Sequence, residues 1–225
     1  MKQLLLDIQP APAPSLQNFV AAGNTEAVHA LRRQAAGDAD FRFICLWGPP
    51  GSGKSHLLQA VAAAAGAQHI SSMLIKAPAS LEPLPTAALV AVDDVQRLAP
   101  EQQIALFNLY NRQRDNPSGA LLTSGEAAPM QLGLRDDLAT RLSWGLVYQL
   151  HPLSDEEKAQ ALRAHAAERG MKLPDEAVEY CLRHLRRDLP TLMATLDALD
   201  EWSLTAKKPV TVPMLRKLLQ LPLGS

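Results

Sequence analysis

Apolar residues follow two rhythms along this chain, and the change between them falls near residue 150. Up to that point, short unbroken apolar runs alternate with longer stretches in which apolar residues recur every three or four positions. Phe43–Trp47, 87–92 (A-A-L-V-A-V), 120–123 and 144–150 read as strands. A strand covered on both faces has no polar side to show, so it appears as a continuous apolar run. Residues 26–36 read as a helix with Val28 and Leu31 inward and Arg32 and Arg33 outward. Further helices are expected over 54–65, over 100–114 with Ile104, Phe107 and Tyr110 on one face, and over 135–142. A shorter strand is expected within 68–75, and the three prolines of 76–86 mark a loop. Such alternation predicts an α/β fold with a parallel sheet covered on both faces.

From Ser154 the strand rhythm stops. Ser154-Asp155-Glu156-Glu157 is a capping box opening a helix that ends near Arg169-Gly170. Asp175 is expected to cap a second helix built on Val178, Cys181, Leu182 and Leu185. Asp188 is expected to cap a third on Leu189, Leu192, Met193, Leu196 and Leu199. Thr211 begins a fourth on Met214, Leu215, Leu218 and Leu219. The expected organisation is a tail and spacer over 1–15, an α/β nucleotide-binding domain over 16–152, and a small four-helix lid over 153–225.

Composition narrows this further. The 225 residues are 47% hydrophobic but only 4% aromatic, and the net charge is −1. No global field draws the molecule to nucleic acid or membrane, so DNA contact would be local or made through a partner. Cys45 and Cys181 lack metal-ligand spacing and read as buried thiols. Pro10, Pro12 and Pro14 interrupt the early apolar run, so no signal-peptide pattern forms. No apolar segment of about 18 residues is present to span a bilayer. A soluble, cytoplasmic protein is expected, with no membrane partner.

The densest chemistry lies in Gly48-Pro49-Pro50-Gly51-Ser52-Gly53-Lys54-Ser55-His56, between a strand and a helix. This is the P-loop pattern in its proper setting. Glycines let several backbone N–H groups converge, and the helix N-terminus adds positive potential, so the loop cradles phosphate. Lys54 is assigned to the β/γ-phosphates and the Ser55 hydroxyl to Mg²⁺, with ADP or ATP as the nucleotide. The run 87–92 delivers Asp93-Asp94 at its end, the Walker B pattern. One carboxylate, Asp93, orients the Mg²⁺ shell, and Asp94 can polarise a water toward the γ-phosphate. At the N-terminus, Gln3, Leu4, Leu6 and Ile8 belong to an apolar hexamer held off the body by the spacer Q-P-A-P-A-P. It has the build of a docking peptide; a tail folded against the body is the alternative.

A P-loop sheet followed by a helical lid resembles the AAA+ ATPases. Gly53-Lys54-Ser55-His56-Leu57-Leu58, Val92-Asp93-Asp94-Val95-Gln96, Leu122-Thr123-Ser124 and Arg141-Leu142-Ser143-Trp144-Gly145-Leu146 resemble the DnaA family, and more closely its shortened Hda branch. Phe107-Asn108-Leu109-Tyr110-Asn111-Arg112, residues 150–158 and Thr195-Leu196-Asp197-Ala198-Leu199-Asp200 are similar to Hda itself. The resemblance implies a regulator that docks on the sliding clamp of DNA polymerase III through the hexamer and stimulates hydrolysis of DnaA-bound ATP. In that branch Arg141 matches an arginine finger acting in trans; a surface arginine on a short helix is the alternative. Phe19 and Val20 match the adenine pocket, or are simple core residues.

The chain also departs from the family pattern. The lid's sensor arginine aligns with Pro190, and the sheet's acidic sensor with Gly125, leaving Ser124 or Thr123 as substitutes. The resemblance therefore implies weak intrinsic ATPase activity, with a homo-oligomer possible. Three expected absences fit the Hda branch better than DnaA: a helix-turn-helix origin-binding domain after the lid, an insertion engaging single-stranded DNA before the 87–92 strand, and a helicase-recruiting domain before the hexamer. Two other readings are a helicase-loader-like AAA+ protein and a non-hydrolysing, nucleotide-stabilised adaptor.

Overall fold

The computed structural model describes residues 13–185, 189–206 and 208–220. Gln3, Leu4, Leu6 and Ile8, the spacer's prolines through Pro12, and Asp188 lie outside them. The described chain divides into two compact units between Pro152 and Leu153.

The first unit begins at Pro14 and is built on a five-stranded sheet of β1 (Phe43–Trp47), β2 (Ser72–Lys76), β3 (Leu89–Asp93), β4 (Ala120–Gly125) and β5 (Leu146–Gln149). The order is β2-β3-β4-β1-β5 and every pairing is parallel. Helices α1 (Thr25–Ala35), α2 (Lys54–Ala67), α3 (Pro100–Asp115) and α4 (Asp136–Ser143) cover it. Alternation along β3 explains the two-sided cover. Leu89 and Ala91 enter a cluster with Leu31 of α1 and Leu57, Leu58 and Val61 of α2. Val90 and Val92 enter another with Leu106 and Leu109 of α3 and Leu138 and Leu142 of α4. All of β3 is buried, as its unbroken apolar run requires.

Boundaries and faces shift in places. β2 starts at Ser72 rather than near 68, because α2 runs on to Ala67 and a turn through His69, at φ +61°, must follow it. β3 takes in Asp93 itself. On α3 the inward residues are Leu106, Leu109, Tyr110 and Gln113, while Ile104 is 44% exposed. Of the expected face, Tyr110 is buried and Phe107 packs against the second cluster, while Ile104 turns outward because the stripe is centred on Leu106, Leu109 and Gln113. The Gln113 amide is buried and donates to the Ala87 carbonyl at 3.0 Å.

The second unit holds α5 (Asp155–Glu168), α6 (Asp175–His184), α7 (Leu189–Ala206) and α8 (Val212–Gln220). They close on Leu162, Val178, Cys181, Leu192, Leu196, Leu199 and Leu215. The capping box at its start is formed: Glu157 N–H donates to Ser154 Oγ at 3.1 Å, and Ser154 N–H to Glu157 Oε2 at 2.7 Å. Asp175 does not cap α6. It is the first helical residue, after Pro174, and its exposed carboxylate accepts from Arg163 Nη2 at 2.8 Å instead. Pro190 sits in the first turn of α7, where a missing N–H costs nothing.

Candidate functional site

β1 ends at Trp47, the loop 48–53 turns over its C-terminal end, and α2 opens at Lys54. Gly48, Gly51 and Gly53 all have positive φ. Gly53 is also held tightly: at φ +92°, a Cβ there would lie 2.6 Å from the Phe19 ring. Phe19 in turn lies 5.5 Å from the His56 ring, and His56 Nε2 hydrogen-bonds the Ser15 carbonyl at 3.1 Å. The segment before α1 thus lies against the P-loop, and Asn24 fastens it. The Asn24 amide donates to the His151 carbonyl at 2.9 Å and accepts from His151 N–H at 2.8 Å. The structure brings Phe19 together with Gly53 and His56, and half-buried Val20 follows it in the chain.

Inside the loop, Lys54 is buried, and its Nζ donates to the Gly48 carbonyl at 2.7 Å and the Pro49 carbonyl at 3.0 Å. Burial pushes its pKa down, and the carboxylates of Asp94, Asp93 and Glu126 oppose that. A cation partnered by neutral carbonyls retains most of its attraction for an anion. Ser52 Oγ is buried with no hydrogen-bond partner among the described residues. A buried ammonium and an unspent hydroxyl at a helix N-terminus fit a phosphate group.

The strand order sets the next feature. Because β4 lies between β1 and β3, fully buried Ser124 comes between the P-loop and the end of β3. Asp93 accepts from Ser55 Oγ at 2.6 Å and from Ser124 Oγ at 2.5 Å. The same Ser124 oxygen accepts from Asp94 N–H at 3.0 Å. Asp94 follows in a left-handed conformation, φ +60°, ψ +48°. Its carboxylate accepts from the Gln96 amide at 3.4 Å and lies 4.0 Å from Arg97. Ser55 and Asp93 offer adjacent hard oxygens suited to Mg²⁺. No group of three His, Cys, Asp or Glu among the described residues forms a metal cage. A Mg²⁺ ion habitually takes only one or two protein ligands beside phosphate and water.

Two residues here were not singled out from sequence. Glu126, just beyond β4, places its charge within reach of Lys54. Leu132 packs so close to Gly125 that a Cβ there would lie 2.6 Å from its Cδ1. The space that a side chain at position 125 would need is occupied by leucine.

Arg141 stands on α4 with its guanidinium 4.1 Å from the Trp144 ring centroid and 5.6 Å from that of Phe107. In the first unit Arg32, Arg33, Arg42, Arg97, Arg112, Arg114 and Arg135 each meet a carbonyl or carboxylate oxygen within 4.0 Å. Arg141 alone makes no hydrogen bond or ion pair with a described residue.

The family model of the Hda lid domain matches residues 155–219. Among solved structures, domain III of the Thermotoga maritima replication initiation protein DnaA matches with a TM-score of 0.73 at 23% identity, over 94% of this chain and 98% of that one. AMPPCP-bound DnaA from Aquifex aeolicus matches at 0.68 and 21%, over 88% and 71%. A variant of Thermotoga maritima RuvB matches at 0.66 and 17%, over 95% and 73%.

Proposed function

We propose that the chain is an Hda-like, DnaA-related AAA+ protein, on the match of residues 155–219 to the Hda lid and the DnaA-like fold of the whole, and that it is a nucleotide-binding regulator of replication initiation. It binds ADP or ATP with Mg²⁺, docks on the sliding clamp through its N-terminal hexamer, and stimulates hydrolysis of ATP held by DnaA. Gly48–Ser55 would cradle the phosphates, Lys54 exchanging its two carbonyl partners for phosphate oxygens. Ser55 and Asp93 would hold Mg²⁺, and Phe19 and Val20 would border the base. AMPPCP bound by a DnaA of similar fold supports an adenine nucleotide as the ligand.

The observation that carries the regulatory reading is Arg141. Every other arginine of the first unit has a polar partner, whereas this one has no oxygen partner among the described residues. A guanidinium offered in trans offsets charge developing on a γ-phosphate, an effect of about 10³–10⁵ in rate where it has been measured. The chain's own hydrolysis is expected to be weak. Asp94 and Ser124 are present, but Leu132 fills the space that a side chain at position 125 would need, and the lid offers Pro190 instead of arginine.

The test is turnover of DnaA-bound ATP with DNA-loaded clamp, comparing wild type and Arg141→Ala. The variant should lose at least about 100-fold in stimulated rate while retaining clamp binding. A variant that stimulates like wild type ends the finger assignment. Stimulation that is indifferent to the clamp removes the docking step.

A further inference from the structure

We infer that Trp144 is a positioning residue for Arg141, its indole holding the guanidinium by its flat face so that the edge N–H groups stay free for a partner's anion. This rests on the reading of Arg141 given above and extends it to the residues that aim it.

Trp144 is 61% exposed, so most of its indole stands clear of the core. Over its ring lies the Arg141 guanidinium. The two are three residues apart across the last turn of α4, a spacing that puts side chains on one helix face. The guanidinium carbon lies 4.1 Å from the indole centroid, well inside the range of a cation–π contact. Phe107, half-buried on α3, supplies a second ring at 5.6 Å.

The chemistry of such contacts matters here. A carboxylate partner would take two of the five N–H donors and offset the charge, leaving less to offer a phosphate. An aromatic face holds the cation through its π-surface, leaving charge and donors intact. The contact restricts the side chain before a partner arrives, so less conformational entropy remains to be lost on engagement.

The backbone beneath Trp144 is fixed as well. At the next residue, Gly145, a Cβ would run into the Phe43 carbonyl oxygen, so the chain leaves α4 pressed against the start of β1. The indole is thereby carried on a constrained stem.

Stimulated turnover of DnaA-bound ATP, measured against regulator concentration with DNA-loaded clamp, tests this with Trp144→Ala, Trp144→Phe, Arg141→Ala and the double variant Arg141→Ala/Trp144→Ala. Trp144→Ala should lower the maximal rate about 10-fold and change the half-saturating concentration less than threefold. Trp144→Phe should recover most of the loss, and the double variant should equal Arg141→Ala. Thermal stability of Trp144→Ala should match wild type, because the ring is mainly in solvent. If Arg141→Ala collapses the rate while Trp144→Ala does not, the positioning role is wrong and the finger stands. If Arg141→Ala behaves as wild type, the functional reading itself has failed. A Trp144→Ala effect confined to half-saturation makes the ring a docking contact and overturns the proposal.

Discussion

Asp93 takes a hydroxyl on each carboxylate oxygen, one from the P-loop helix and one from β4. Buried carboxylates persist only with such partners. One register away from that site, Cys45 shows what the same interior does to a thiol. It pairs across the ladder with Thr123, and burial pushes its thiol from 9.0 up to about 11, the Thr123 contact opposing it. The pH consequence follows from proton counting. Between 9 and about 11 the unfolded chain has released this proton while the folded one keeps it, so stability is whole below pH 9 and declines above it. Cys181 shifts in the same sense, and Lys54 in the opposite one. Both cancel when wild type is compared with Cys45→Ala. Denaturant unfolding at pH 8 and pH 11 should show the wild-type advantage shrinking by about 2 kcal/mol. A difference constant across that range would mean the thiol titrates as freely in the folded state as in the unfolded.

At the scale of elements, what could be read from the sequence is what depends on neighbours in the chain. β1, the P-loop and the opening of α2 form one local grammar of apolar run, glycines and helix start, and each lies where the pattern places it. The second unit's helices likewise repeat at the period their inward leucines set. What escaped depends on partners distant in sequence. Gln113 is inward because the Ala87 carbonyl needs a donor, and Leu132 lies on Gly125 because a loop returns there. No spacing within α3 or β4 encodes either. The role given to Arg141 rests on resemblance alone, and its lack of an oxygen partner among the described residues is a property of the folded surface that no spacing within α4 encodes. The corrected α3 face makes a direct prediction. Leu106, fully buried among the second cluster, should cost roughly 2–5 kcal/mol when truncated to alanine. Ile104→Ala should stay within about 1 kcal/mol, because much of that side chain already meets water. Equal costs in chemical denaturation would return the helix to its original orientation.

Taken as a whole molecule, the chain places every candidate phosphate and metal group in one unit. Lys54, Ser52 and Ser55 stand at the end of β1, Asp93 and Asp94 at the end of β3, and Ser124 between them. None of the helices described is long and apolar enough to cross a membrane. Such a site is linked to folding, because a ligand that binds only the folded chain stabilises it logarithmically with concentration. At a hundredfold excess over Kd that amounts to about 2.7 kcal/mol. For a chain of this size each kcal/mol raises Tm by roughly 2–4 °C, so saturating ADP or ATP with Mg²⁺ should raise it by roughly 5–10 °C. Lys54→Ala should abolish the shift. Removing one side of a buried ion pair costs about 2–5 kcal/mol of binding, which at the same nucleotide concentration erases nearly all the gain. In the apo protein that substitution also removes a cation whose burial is unfavourable, so its own Tm should not fall sharply. A Lys54→Ala protein that melts higher with nucleotide by the same margin as wild type would put the ligand somewhere other than the loop 48–53. The roles assigned to Ser55 and Asp93 would then have no phosphate to serve.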